Sequence, residues 1–155
     1  MSARSRRVGP LIALALAACA SAGGPEADPT ALTYAPVTEV DFDRMERTTS
    51  GLWIEEIAEG VGRVAARGNR IRIHYIGYLA DGTVVDSSLG GESYQFELGS
   101  ADVIRGWNQG IVGMKVGGRR RLVIRPGLAY GARGRPPVVP PNAVLVFEIQ
   151  LVDAV

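Results

Sequence analysis

Few side chains in this sequence are suited to nucleophilic, metal or phosphate chemistry. His74 is the only histidine and Cys19 the only cysteine, so a zinc site, which needs several such ligands, is not supported. Ser87 and Ser88 follow Asp86, but the chain has no G-x-S-x-G motif and nothing indicates a base oriented toward a serine. The glycine pairs lack the strand–glycine–helix spacing of a nucleotide-binding loop. The sequence therefore favours a role that needs neither metal nor cofactor.

Trp107 indicates a different kind of site. It lies in the short glycine-rich stretch DVIRGWNQGIVGMKVGG, residues 102–118. The apolar residues at its start have the spacing of one stripe on a short helix: Val103, Ile104, Trp107 and Ile111. Ser100 is suited to cap this helix, and Gly113 to end it. So large a ring in so short an element either fills a small core or forms the floor of a pocket, and the pattern leaves both interpretations open.

Alternating apolar and polar residues predict antiparallel strands around this helix. The segments are RIRIHYIGYL (70–79), RRRLVIRP (119–126) and AVLVFEIQLV (143–152), with a hairpin predicted at Asp81-Gly82. The residues predicted to point inward are Ile71, Ile73, Tyr75, Leu79, Leu122, Ile124, Leu145, Phe147, Ile149 and Leu151. The residues predicted on the opposite face of the first segment are Arg72, His74 and Tyr78. The residues predicted to face water are Arg119, Arg121 and Arg125. The fold class is α+β, a sheet that curls over one helix.

The N-terminus is typical of an exported lipoprotein. Three arginines precede the apolar run VGPLIALALAA, which is too short to span a bilayer and indicates a signal peptide over residues 1–18. The sequence LAAC resembles the bacterial lipobox, which predicts a lipid on Cys19. Because Ala20, not an aspartate, follows, we expect the outer membrane, facing the periplasm. Residues 19–47 are predicted to form a flexible tether, with at most a helical turn over residues 37–47.

The charge balance excludes one class of partner. Without residues 1–18 the chain has 14 basic and 16 acidic residues, a net charge of about −2. A protein that binds nucleic acid through its phosphates needs a basic field, and this chain has none. No nucleic-acid partner is therefore expected.

Three blocks of the sequence, in order, resemble the FKBP-type peptidyl-prolyl cis-trans isomerases. They are HYIGYLADGTVVDSS, VIRGWNQGIVGMKVGGRRRLVIRPGLAYGARG and VVPPNAVLVFEIQLV, and the resemblance covers residues 48–155. It implies a twisted antiparallel sheet of about five strands wrapped around one short helix, in agreement with the alternation. It also implies catalysis of rotation about X-Pro bonds without metal or cofactor.

The resemblance implies a set of site residues. The catalytic group is Asp86, Ile104, Trp107 and Tyr130, and the substrate-binding group is Tyr75, Val85, Tyr94, Phe96, Val103, Val138, Val139 and Phe147. The Ile104 N–H and the Tyr130 hydroxyl would hold substrate carbonyls, Asp86 would lie beside the twisting one, and Trp107 would support the proline ring. From the pattern alone, Tyr75, Phe96, Ile104 and Phe147 are core residues, Asp86 caps a turn and Tyr130 anchors a loop.

Two positions depart from the commonest form of the family. Val85 stands where a phenylalanine is usual, and Arg135 where a histidine is frequent. The smaller residue is expected to lower the activity or to widen the choice of substrate. It also lowers the expected affinity for the macrolides tacrolimus and rapamycin. The expected partners are otherwise proline-containing clients outside the cytoplasm and, through the lipid, a membrane, with the protein as a monomer. The alternative is a chaperone or scaffold that binds proline segments without turnover, and a purely structural lipoprotein is disfavoured.

Overall fold

The protein is described here by a computed structural model that covers residues 25–155, in which seven strands form one antiparallel sheet. The strands are β1 (Glu46–Arg47), β2 (Trp53–Ala58), β3 (Arg70–Leu79), β4 (Val84–Ser87), β5 (Tyr94–Glu97), β6 (Arg119–Ile124) and β7 (Leu145–Ala154), and the helix is α1 (Arg105–Ile111). Short 3₁₀ turns cover Pro29–Ala31, Pro36–Thr38, Phe42–Arg44, Pro126–Leu128 and Gly131–Arg133. The predicted fold class is confirmed.

The strand order is β1-β2-β6-β7-β3-β4, and β5 pairs with the first half of β3. The long strands β3 and β7 form the centre and pair along almost their whole length. The predicted hairpin connects β3 to β4, with Gly82 at a φ of 88° in its turn. The sheet has seven strands where about five were expected, partly because β1 belongs to a segment predicted as tether.

The inner face of the sheet holds the main core. The inward residues predicted from β3, β6 and β7 are buried there together with Ile111 and Met114, except Leu79, which is half-buried. This agreement follows from the strict period of two along each strand. Within residues 25–155 no helix is both long and apolar enough to span a bilayer.

The helix α1 contains two glycines because its backbone packs directly against β6. A Cβ on Gly106 would lie 2.6 Å from Ile124 Cγ2, and one on Gly110 would lie 2.5 Å from Leu122 Cδ1. Real carbon atoms do not approach so closely, so only glycine lets the helix backbone rest directly on β6. The glycines thus bring α1 close to the sheet, although they weaken its intrinsic helix propensity.

The N-terminus of α1 differs from the prediction, whereas Gly113 follows its C-terminus as predicted, at a φ of 85°. The helix begins at Arg105, with Ile104 as its N-cap and no side-chain cap from Ser100. Asn108 instead binds the preceding loop: its Oδ1 accepts from the Gly99 N–H and its Nδ2 donates to the Ser100 carbonyl, both at 2.7 Å. At the C-terminus, the Arg120 guanidinium donates to two carbonyls of the last turn. Arg120 therefore supplies the positive charge that a helix C-terminus favours.

The outer face of the sheet is covered by residues 25–45, which we call the N-terminal strap. Its side chains pack on the sheet in a second apolar cluster: Ala27, Tyr34, Val40, Phe42 and Met45 against Trp53, Tyr78, Val123, Val144 and Val146. The Phe42 and Trp53 rings meet edge to face with centroids 4.9 Å apart. The expected flexible tether over residues 19–47 therefore differs from the structure over residues 25–47. The predicted signal peptide and Cys19 lie outside the described residues.

The strap also changes the environment of Arg121, which was expected to face water. Arg121 is 3% exposed. Its guanidinium donates to Glu55 at 2.5 Å and to Glu39 of the strap at 2.7 Å, with Glu148 at 3.4 Å. The expectation was wrong because the alternation correctly placed Arg121 on the outer face but could not show that the strap covers that face.

Candidate active site

A cleft of about 800 Å³ opens at one end of the inner core, so the core does not fill the space above Trp107. Eleven of the twelve predicted site residues line it: Tyr75, Val85, Asp86, Tyr94, Val103, Ile104, Trp107, Tyr130, Val138, Val139 and Phe147. The twelfth, Phe96, does not line the cleft. It is buried next to Trp107, with the two ring centroids 5.9 Å apart.

Trp107 forms the floor of the cleft and is held by aromatic rings. Tyr75 and Phe147 contact it edge to face, with centroids 4.8 and 5.2 Å away, and Tyr94 lies at 6.0 Å. Such edge-to-face pairs fix ring orientation. The indole Nε1 is buried and has no hydrogen-bond partner among residues 25–155. The indole face is therefore a rigid, apolar surface at the bottom of an open cleft.

Phe147 reaches this position because the neighbouring strand carries a glycine. A Cβ on Gly77 would lie 2.4 Å from Cε1 of the Phe147 ring. Gly77 and Phe147 are paired residues of β3 and β7. The missing side chain on β3 thus makes room for the ring beside Trp107.

Asp86 lies at the rim on β4, with both carboxylate oxygens occupied. The Tyr75 hydroxyl donates to Oδ2 at 2.7 Å and the Ser87 N–H donates to Oδ1 at 2.9 Å. Burial and the bond to Asp86 raise the pKa of Tyr75 well above its usual value. Tyr75 therefore remains a neutral donor, and it fixes the direction of the Asp86 carboxylate toward the cleft.

Tyr130 and Arg135 also line the cleft and contact each other. The Arg135 Nη1 donates to the Tyr130 hydroxyl oxygen at 3.3 Å, and its guanidinium carbon lies 5.7 Å from the centre of the Tyr130 ring. The hydrogen bond to Tyr130 raises the pKa of Arg135. Because Arg135 is a donor only, the hydroxyl proton of Tyr130 is left free to donate elsewhere.

Ile104 contributes its backbone. Its carbonyl accepts from the Trp107 and Asn108 N–H groups in the first turn of α1. Its own N–H has no acceptor within residues 25–155, and the residue lines the cleft. A donor at the cleft wall is thus available to a bound carbonyl.

Sequence reasoning missed part of the lining. The residues not included in the predicted set are Ala101, Asp102, Arg105, Ala129, Arg135, Pro136 and Pro137. Each lies next to a predicted residue in the chain or in the same loop, and that adjacency was the available signal. His74, in contrast, does not line the cleft, and its Nδ1 lies 3.2 Å from the Ser88 Oγ.

Comparison with known proteins agrees with this geometry. The family described as FKBP-type peptidyl-prolyl cis-trans isomerase matches residues 62–152. An FK506-binding protein of Neisseria meningitidis serogroup B is 46% identical over 102 residues, which cover 65% of this chain and 94% of that protein. The crystal structure of AtFKBP13 superposes with a TM-score of 0.68 at 37% identity, covering 72% of this chain and 98% of that one. The chain belongs to the family of FKBP-type peptidyl-prolyl cis-trans isomerases.

Some relatives are considerably longer. FK506-binding protein 4 of Rhizopus delemar is 45% identical over 110 residues, which are 71% of this chain but 29% of that protein. The chain thus spans less than a third of that protein. FkpA from Escherichia coli matches with a TM-score of 0.67 at 37% identity over 51% of its chain. The shared part is therefore the isomerase domain.

Proposed function

We propose that the protein catalyses cis-trans isomerisation of X-Pro peptide bonds in polypeptide clients. The observation that carries this proposal is the open cleft above Trp107, in which an apolar floor lies among Asp86, Tyr130 and the Ile104 N–H, a donor without an acceptor in residues 25–155. Family membership supports the same reaction.

The energetic demand of this reaction is modest. Rotation about a peptide bond has a barrier of about 18–20 kcal/mol because the C–N bond is partly double, and uncatalysed X-Pro exchange takes on the order of tens to hundreds of seconds. An acceleration of about three to five decades requires about 4–7 kcal/mol. Desolvation and a few placed hydrogen bonds can supply that amount, without covalent chemistry.

Different residues of the cleft supply the desolvation and the hydrogen bonds. A proline ring on the Trp107 face is shielded from water, which disfavours the planar, polar amide relative to the twisted, less polar one. The Ile104 N–H and the Tyr130 hydroxyl donate to substrate carbonyls and hold the segment in place. Asp86, fixed by Tyr75, lies beside the carbonyl that rotates. Arg135 directs the Tyr130 proton toward the substrate.

A protease-coupled assay with a proline peptide tests this function. The purified protein at micromolar concentration should accelerate isomerisation, and Tyr130→Phe should lower kcat/KM about fivefold, the size of one neutral hydrogen bond. Tyr78→Phe is the matched control, because Tyr78 lies in the outer cluster. No acceleration by the parent protein would leave the binding-only alternative, a chaperone or scaffold, and would reject the proposal.

The finer features of the proposal concern ligands and location. The relatives named FK506-binding proteins support binding of that macrolide, tacrolimus, with Val85 giving a smaller cleft wall. The sequence pattern at Cys19 supports an exported protein with a lipid anchor on the periplasmic side of the outer membrane, acting on clients outside the cytoplasm. We propose that this protein is a monomer. Mass spectrometry of the mature N-terminus tests the lipid, and Cys19→Ser should release the protein from membranes. A Cys19→Ser protein that stays with the membrane would contradict the anchor.

A further inference from the structure

One wall of the cleft is a single chain segment, residues 125–142, which we call the wall segment. It carries Tyr130 and Arg135, and it also supplies the lining residues Ala129, Pro136, Pro137, Val138 and Val139. No strand of the sheet lies within it. Its geometry is therefore set by its own turns, by the bridge between Arg135 and Val139, and by contacts at its two ends.

The start of the wall segment is held by Glu26 of the N-terminal strap. The Glu26 Oε1 accepts from the Gly127 N–H at 2.7 Å, and its Oε2 accepts from Arg125 Nη1 at 2.6 Å. Arg125 in turn donates through Nε to the Ser50 carbonyl at 2.7 Å. One carboxylate thus binds the backbone and a side chain three to five residues before Tyr130.

The end of the wall segment is held by the next residue of the strap. The Ala27 N–H donates to Asn142 Oδ1 at 3.2 Å. The Asn142 N–H donates to the Gly131 carbonyl at 2.8 Å, which closes the segment on itself just after Tyr130. Two consecutive strap residues therefore contact both ends of the segment that carries Tyr130.

We propose that Glu26 is a positioning residue for Tyr130, and that the strap sets the geometry of the wall segment through it. Both residues of the ion pair are partly exposed, with Glu26 38% and Arg125 31% exposed at the side chain, so the pair adds little to global stability. The ion pair acts locally, because it helps to place the Tyr130 hydroxyl, which donates to the substrate. This inference rests on the proposed isomerase function, and Glu26 lies outside the range that matches the family.

Isomerase kinetics test this role. Glu26→Ala should lower kcat/KM about threefold to fivefold, since a misplaced donor loses much of the effect expected of the Tyr130 hydroxyl. Glu26→Gln keeps an oxygen for the Gly127 N–H and should lose only about twofold. Glu59→Ala is the matched control, because it removes another exposed acid, paired with Lys115, and neither residue lines the cleft. Equal kcat/KM for the two alanine variants would overturn the proposal.

A double variant separates positioning from a general structural effect. If Glu26 acts through Tyr130, Glu26→Ala should cost less than half as much, on a logarithmic scale, in a Tyr130→Phe background as in the parent. Losses that multiply independently in the double variant would overturn the assignment to Tyr130. The midpoint of urea unfolding should change little in Glu26→Ala, and a loss of activity that follows only a loss of folded protein would also count against it.

Amide hydrogen exchange tests, without any assay of catalysis, whether Glu26 holds the wall segment in place; we call this effect the bracing. In Glu26→Ala, exchange at Asn142 and Gly134 should increase about tenfold, while exchange in α1 stays unchanged. These two amides bind within the wall segment and not to Glu26 itself. An inactive parent protein with this exchange pattern would reject the isomerase function but keep the bracing, whereas unchanged exchange at Asn142 would reject the bracing alone.

Discussion

The two faces of the sheet use the same strands but are covered in different ways. On the inner face, α1 and the core close over fully apolar rows, and the space left at one end is the cleft. On the outer face, the strap covers a smaller apolar cluster and a buried arginine bound to three glutamates. Binding capacity thus lies on the face that is incompletely filled, and the other face provides stability.

The sharpest test of this division is Arg121→Met on the outer face. The change leaves Glu55, 8% exposed, without its main partner, so the free energy of unfolding should fall by about 3 kcal/mol. Because none of these groups lines the cleft, kcat/KM at low temperature should stay within about twofold of the parent. Urea unfolding and the coupled isomerase assay measure the two quantities.

The control for this variant lies two residues away on the same strand face. Arg119 pairs with Glu148 but is 45% exposed, and Arg119→Met should cost at most about 1 kcal/mol. If Arg121→Met destabilised the protein no more than Arg119→Met, the outer face would not depend on its buried charges.

Gly110→Ala on the inner face should lower stability less than Arg121→Met does. Unlike Arg121→Met, it should also lower activity. Alanine favours the helix by about 1 kcal/mol, but its Cβ would lie 2.5 Å from Leu122 Cδ1. The steric cost of the new Cβ should exceed the gain in helix propensity, so the free energy of unfolding should fall by about 1–2 kcal/mol. The displaced helix carries Trp107, so kcat/KM should fall as well.

Gln109→Ala, at the exposed neighbouring position, is the control and should change stability by less than about 0.5 kcal/mol. A Gly110→Ala protein more stable than the parent would show that propensity, and not close approach to β6, explains the glycine.

The smallest effect is expected at the cleft rim, from Val85→Phe. A larger apolar wall should increase affinity for tacrolimus about fivefold to tenfold through added buried area. Calorimetric titration measures it, with the free energy of unfolding unchanged within about 0.5 kcal/mol. Val84→Phe, at a half-exposed position that does not line the cleft, is the control. Equal affinities in both variants would show that this wall does not limit binding.

The sequence predicted the inner face well because periodicity decides which residues share a face. Ile73, Leu122 and Ile149 were placed correctly for that reason. The same logic placed Arg121 on the outer face but failed on its burial, since what covers a face depends on distant chain. The strap has few apolar residues at irregular spacing, so Phe42 and Met45 gave no periodic signal.

At the candidate site, too, periodicity did not show which distant residues come together. The pattern alone would have assigned Tyr75 and Phe147 to the core, and the resemblance to a family was needed to bring Asp86 and Tyr130 to one cleft. The resemblance also included Phe96, which is buried next to Trp107 and does not line the cleft. Interactions such as Arg135 with Tyr130 depend on loop conformation, which neither propensity nor spacing determines.

The strap already contacts the rest of the domain at Glu26, which limits the length of chain between Cys19 and the domain. Only seven peptide units separate Cys19 from Glu26, so the chain between them spans at most about 25 Å, against about 100 Å for a free linker up to residue 47. With the acyl group that we propose on Cys19, the mouth beside residues 125–142 would stay near the lipid headgroups. Clients would then be met close to that lipid surface.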